Sequence, residues 1–189
     1  MRWTPASAAV VVLAAAWLLP WDRWTGPFPA HMVRHMALVA IAAPLIVLAL
    51  PGLTGRLAIP PLAGMVLEFA VVWSFHLPGL QDRTAQGPGW FVLEQAAFLG
   101  AGLAVWAGAL AARPLAGAGA MLLTSMHMTL LGALIVLSPR PIYAICGQDV
   151  GSQQLGGLIM LGVGTPVYLV AGLWLVGRAL HDGGQEARA

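Results

Sequence analysis

Apolar residues run through this chain in long blocks, separated by short clusters of Pro, Gly and charge. Six blocks are long enough, or nearly so, to cross a bilayer: residues 4–20, 31–50, 62–78, 90–111, 118–138 and 154–178. They are apolar on every face and rich in Ala, Leu, Val and Gly, as lipid-embedded helices are, and lack the one-sided stripe of a helix at a wet surface. The connectors Pro20 to Pro29, Pro51 to Pro61, Pro78 to Gly89, Arg113 to Gly117 and Pro139 to Ser152 carry the expected helix-breaking residues. The pattern predicts an all-α integral membrane protein. It is a bundle of about six transmembrane helices, with residues 1–189 forming one domain. The first block follows Arg2 like a signal peptide, but Pro20-Trp21-Asp22-Arg23-Trp24 follows it without a small-x-small cleavage site. We read it as a retained span, with Trp17, Trp21 and Trp24 at an interface. Gly100, Gly102 and Gly108 in the fourth block, and Gly156, Gly157, Gly162 and Gly164 in the sixth, suit close helix packing.

Composition agrees with the pattern: 59% of the 189 residues are hydrophobic and only 8% charged, and mean hydropathy is +0.83. No lysine occurs, so the nine basic residues are all Arg. A net charge of +2 is too small and too scattered for a nucleic-acid footprint. A single cysteine, Cys146, excludes an internal disulfide or a Cys-rich zinc site. It reads as a loop or core thiol, with a soft metal ligand as the alternative. With both termini inside, Arg2, Arg56, Arg113, Arg178 and Arg188 face the cytoplasm, and Arg23, Arg83 and Arg140 lie outside. Five against three favours cytoplasmic termini in a multi-pass protein of the inner (cytoplasmic) membrane.

The polar chemistry is one-sided. Antiparallel neighbours bring His31, His35, His76, Glu94, Gln95, Gln153 and Gln154 to one level, with Asp22, Asp82, Cys146 and Asp149 in the loops there. His31 and His35 are four apart, so they share a helix face about 6 Å apart along the axis. Met32 and Met36 form a second pair about 100° round the same turns. Three imidazoles from two helices make a plausible first set of ligands for copper. The thioethers of Met32 and Met36 tilt the choice towards Cu(I). Glu94 or Gln95 could orient a ring from behind. Deeper in the bilayer, where polar groups are costly and tend to be paired, Glu68 and His127 are expected to pair as a structural bond or proton relay. A helix-to-helix hydrogen bond alone would also explain His127. No GxGxxG after a strand, Walker loop, HExxH or GxSxG occurs to indicate an enzyme.

Three stretches carry a resemblance. Pro29-Ala30-His31-Met32-Val33-Arg34-His35-Met36, running on to Ala43-Pro44-Leu45 and Leu50-Pro51-Gly52, is similar to the hallmark of the CtaG family. Those are membrane assembly factors of bacterial caa-type cytochrome c oxidases. Trp73-Ser74-Phe75-His76-Leu77-Pro78 resembles the family's tryptophan–histidine–proline segment, and Gln153-Gln154-Leu155-Gly156-Gly157-Leu158-Ile159-Met160 its paired-glutamine segment. The likeness extends from about Trp21 to Val176. Family members usually carry Glu-His where this chain has Glu94-Gln95, and Asp where it has Ser152. If that missing histidine is a ligand, the site here is weaker or uses another group. The resemblance implies a non-enzymatic factor that helps mature a haem–copper oxidase, handling copper at the periplasmic face. Its partners would be oxidase subunits, other copper chaperones and the lipid bilayer, with no nucleic acid.

Two other classes fit the same residues. Histidines on facing helices also hold haem b in membrane cytochromes, and Glu68 with His127 would suit a small copper or proton transporter. The Arg count predicts that a cysteine placed at Asp82 or Gln86, in a Cys146→Ser background, reacts with an impermeant reagent in intact cells. Labelling only after lysis would invert the topology.

Overall fold

A computed structural model describes residues 4–84, 87–143 and 149–186. Nearly all of these are helical, and none lies in a strand. The chain folds as α1 (Pro5–Leu18), α2 (Trp21–Thr25), α3 (Pro27–Ala49), α4 (Pro51–Leu57), α5 (Pro61–Phe75), α6 (Pro78–Thr84), α7 (Pro88–Ala111), α8 (Pro114–Leu137) and α9 (Val150–Glu186). Proline opens most of these helices, at the position where a missing N–H costs nothing and φ is already helical. Thr4 adds a capping box with Ser7 to α1.

Among the described residues, four helices are long and apolar enough to cross a membrane: α3, α7, α8 and α9. A fifth crossing arises if α4 and α5, bent by 86° at Ala58–Pro60, count as one broken span. The block at 4–20 becomes a 14-residue helix. At 1.5 Å per residue it reaches about 21 Å, short of the ~30 Å hydrocarbon layer, because Pro20 stops it. The block at 31–50 begins earlier, at Pro27, and the last runs on to Glu186.

The bundle is organised by α9, which packs along α8 and against the first half of α3, while α5 lies on α7 and α8. In the middle of α3, Ala37–Ala42 form a π-helical turn. Its cause is written in the sequence. Pro44 has no N–H, and its ring would clash with the carbonyl four residues back. The turn therefore widens, and Ala43 N–H reaches back five residues to the Leu38 carbonyl. Val39 O is left without an amide on its own helix, since Ala43 is used and Pro44 offers nothing. Two side chains replace it: Trp106 Nε1–H donates at 2.9 Å and the Tyr168 hydroxyl lies at 3.0 Å.

Helix α7 reaches the π turn through Gly102. A methyl group at Gly102 would sit 3.0 Å from Val39 Cα and 3.1 Å from Ala43 Cβ, so only glycine lets the backbones approach this closely. Gly108, Gly156, Gly157 and Gly164 are likewise packed against neighbours, whereas Gly100 and Gly162 meet nothing within 4 Å. Gly102→Val should cost on the order of 1–3 kcal/mol by overpacking. Thermal unfolding in detergent should show this loss, with Gly100→Val close to wild type.

Candidate metal centre

Helix α3 carries His31 and His35, and the last turn of α5 delivers His76 just before Pro78. All three are buried. Their ring centroids lie 5.1 Å apart for His35 and His76, 5.8 Å for His31 and His76, and 6.3 Å for His31 and His35. One nitrogen from each falls within 4.8 Å of the others. Metal–nitrogen bonds of about 2.0 Å bring ligand nitrogens to roughly 3.3–3.5 Å from one another, so modest ring rotations would close the set on an ion.

The rings are held from behind. His76 Nδ1 lies 2.7 Å from the Val72 carbonyl. A carbonyl only accepts, so the proton sits on Nδ1 and Nε2 keeps its lone pair. His31 Nδ1 lies 3.4 Å from a carboxylate oxygen of Glu94, which also accepts from Gln95 Nε2 at 3.2 Å. His31 Nε2, both nitrogens of His35 and His76 Nε2 are buried with no hydrogen-bond partner among the described residues. Buried polar atoms are rarely left in this way. A cation that takes the lone pairs would satisfy them, and the donor set of neutral imidazoles suits copper or zinc.

Aromatic residues complete the walls. Phe98 stacks on His35 at 4.0 Å, and Phe28 lies parallel to His31 at 6.2 Å. Tyr143 stacks on Phe28 at 4.7 Å and donates its hydroxyl to the His76 carbonyl at 3.0 Å. Sequence reading missed these three. Phe28 sits one turn before His31 and Phe98 one turn after Glu94; only that helical spacing could have signalled them. At the rim, Arg34 Nη1 donates to Asp22 Oδ1 at 3.3 Å and Nη2 to Oδ2, tying α2 to α3. The hydrogen bonds from Arg34 hold the Asp22 carboxyl below its ordinary range.

Other expected residues go elsewhere. Met32 and Met36 turn towards α9, with Met32 Cγ at Gly156 and Met36 Sδ at Gly164, while the histidines of the same turns face α5 and α7. Gln95 borders an apolar groove between α1 and α7 and turns its amide onto Glu94. Glu68 does not hydrogen-bond His127. Its carboxyl meets the Tyr168 hydroxyl, with Thr124 beside it. His127 stands edge-on to Phe69 at 5.4 Å, and neither ring nitrogen has a hydrogen-bond partner among the described residues. The expected pairing failed because the tyrosine of the neighbouring helix reaches the carboxyl first. Cys146 lies outside the described residues.

Gln153 is a clamp. Its Oε1 accepts from Ile142 N–H at 2.6 Å, and its Nε2 donates to the carbonyls of Ile135 at 3.1 Å and Arg140 at 3.4 Å. Gln154, exposed, donates to the Val136 carbonyl at 3.3 Å. The paired glutamines thus fasten the start of α9 to the end of α8, leaving the imidazoles to other residues.

The profile of the cytochrome c oxidase caa3 assembly factor family matches residues 2–182. The chain belongs to that family. Its partner is accordingly a cytochrome c oxidase, and its helices are those of a multi-pass membrane protein. Comparisons with curated proteins and with solved structures return no match.

Gln153→Ala orphans the part-buried Ile142 amide and the buried Ile135 carbonyl, at a cost on the order of 1–3 kcal/mol for a buried group, while the Arg140 carbonyl keeps the Ser138 hydroxyl. We expect a clear drop in thermal midpoint in detergent, with Gln154→Ala nearly silent. Equal effects would remove the clamp role.

Proposed function

We propose that this oxidase assembly factor binds copper through His31, His35 and His76 and passes it towards a metal centre of the oxidase. The protein is a cargo carrier in this reading, without a catalytic step. The observation that carries the reading is the convergence of three buried imidazoles whose free nitrogens face one another. Glu94 fixes the bearing of His31, and the Val72 carbonyl fixes that of His76. Copper would be the cargo held at these nitrogens, as Cu(I) if reducing conditions prevail. Three neutral ligands and no carboxylate in the group favour the monovalent ion over harder divalent ones. Met32 and Met36 stay available as soft ligands at the cluster's flank only if they leave their glycine contacts. The site would open to the periplasm in a six-span arrangement with both termini cytoplasmic, with α1 as the first span and α4–α5 as the third.

The haem alternative is disfavoured by packing. Phe98 and Phe28 fill the space beside the histidines that a macrocycle would need. A sharp haem band in a reduced-minus-oxidised spectrum would reverse this preference.

Each of His31→Ala, His35→Ala and His76→Ala should lower the copper content of the purified protein and leave oxidase activity poor, while the protein still inserts. Glu94→Gln should weaken affinity on the order of 10-fold or more, as loss of a ligand's orienting group does. Metal analysis with and without reductant, beside oxidase assays in copper-limited cells, checks both. Full oxidase activity from the triple His→Ala protein under copper limitation would refute the proposal.

A further inference from the structure

The hydroxyl of Tyr168 has one hydrogen and two oxygen neighbours. It lies 3.0 Å from the Val39 carbonyl oxygen and within hydrogen-bond reach of Glu68 Oε1. A carbonyl oxygen can only accept, so the hydrogen between Tyr168 and Val39 belongs to the tyrosine. The contact between Tyr168 and Glu68 then needs a hydrogen from the other side. Only a protonated carboxyl has one to give.

We propose that Glu68 is a proton-binding site within the bundle, and that its proton makes Glu68 and Tyr168 positioning residues for the histidine group. The chain of donors runs from the Glu68 carboxyl to the Tyr168 oxygen, and from the Tyr168 hydrogen to the Val39 carbonyl. Two hydrogens serve two contacts. The second carboxyl oxygen, Oε2, is buried with no hydrogen-bond partner among the described residues. The Thr124 hydroxyl beside the carboxyl is a neutral donor with no positive charge, short of the compensation a buried carboxylate would need there.

When the proton leaves for solvent, one hydrogen remains for the two contacts. The carboxylate is the stronger acceptor and takes it, which leaves Val39 O to Trp106 alone. That carbonyl belongs to the π turn, and the extra residue of a π turn sets the rotation of the helix before it relative to the helix after it. His35 lies one turn before Val39, and His31 one turn before that. Glu68 is also tied to the cluster through α5, where Glu68, Val72 and His76 lie along one face. A proton on Glu68 thus holds two walls of the histidine group at once.

The titratable groups round Glu68 are few. Tyr168 reaches it from α9, and His127 of α8 is edge-on to the adjacent Phe69. His35 is one turn from Val39 on α3. The stretch of α7 against α5, around Ala104 and Val105, brings no ionisable side chain, and Glu94 lies at the histidine end of that helix. On α5 and α6, His76, Asp82 and Arg83 lie two turns or more beyond Glu68. No described cation faces the carboxyl to favour its ionised form.

Infrared spectroscopy on the whole protein in lipid nanodiscs tests the proton directly. The wild type should show, at neutral pH, a deuterium-sensitive carbonyl stretch of a carboxylic acid that is missing from Glu68→Gln and shifted in Tyr168→Phe. Absence of that band from the wild-type-minus-Glu68→Gln difference means an ionised Glu68 and overturns the proposal. The positioning role rests on the proposed copper function and is read from Cu(I) affinity against pH. Affinity should fall as pH rises through the ionisation of Glu68, because the ionised form withdraws Tyr168 from Val39. Glu68→Gln, which still donates to Tyr168, should keep neutral-pH affinity and lose the alkaline fall. Tyr168→Phe should bind on the order of 10-fold more weakly at neutral pH, the scale of a lost orienting partner. Identical profiles in wild type and Glu68→Gln overturn the positioning role. A wild type that takes up no copper defeats the proposed function, and the infrared difference still decides the proton.

Discussion

A carbonyl inside an apolar bundle must find a donor in the protein, since lipid offers none. The Val39 carbonyl is the place where that constraint shapes this molecule. Pro44 removes the amide that would have met it, the helix widens into a π turn, and Trp106 and Tyr168 arrive from α7 and α9 to supply hydrogens. Three helices are pinned at a single oxygen. Gly102 exists at its position so that α7 can come close enough, and Glu68 completes the arrangement from α5 through Tyr168. The histidines sit one and two turns above this junction on the same helix, so their bearing follows from it.

The histidine group shows the opposite use of the same physics. At the Val39 carbonyl two side-chain donors replace the lost amide, and the junction is a joint. In the histidine group only the rear nitrogens of His31 and His76 have a partner, through Glu94 and the Val72 carbonyl, while both nitrogens of His35 have none among the described residues. The helices that carry this cluster, α3, α5 and α7, are tied together elsewhere, at the π junction through Trp106, Tyr168 and Glu68. Rigid surroundings and unsatisfied ligands together describe a place prepared to receive something.

Much of this was legible from the chain itself. Long unstriped apolar blocks announced a helical membrane protein, and antiparallel connectivity brought His31, His35, His76 and Glu94 to one level. The side chains' bearings were less accessible. Helical spacing places Met32 and Met36 beside the histidines, but which neighbour each face meets depends on α9, and Gly156 and Gly164 accept the methionines there. Glu68 was visible as a buried acid, yet its partner lies 100 residues on, a separation that no local pattern encodes. Pro44 was seen as part of a recurring segment. Its consequence, the widened turn, needed knowledge of which carbonyl the amide of the preceding residue, Ala43, reaches. The first block was misjudged in length because an apolar run does not reveal where its helix stops, and Pro20 ends this one early.

That early stop bears on the lipid as much as on the chain. With about 21 Å of axial reach, α1 packs on the second half of α3 and the π turn beside helices built for a full bilayer. With α1 as the first span, the hydrocarbon along this flank would be drawn thinner than along α7, α8 and α9, or would meet polar backbone at the helix ends. Hydrophobic mismatch of this kind costs fractions of a kcal/mol per Å, and the cost disappears when another protein covers the flank. The α1 side, like that of the 15-residue α5, would then give up lipid at lower cost than the sides lined by the long helices.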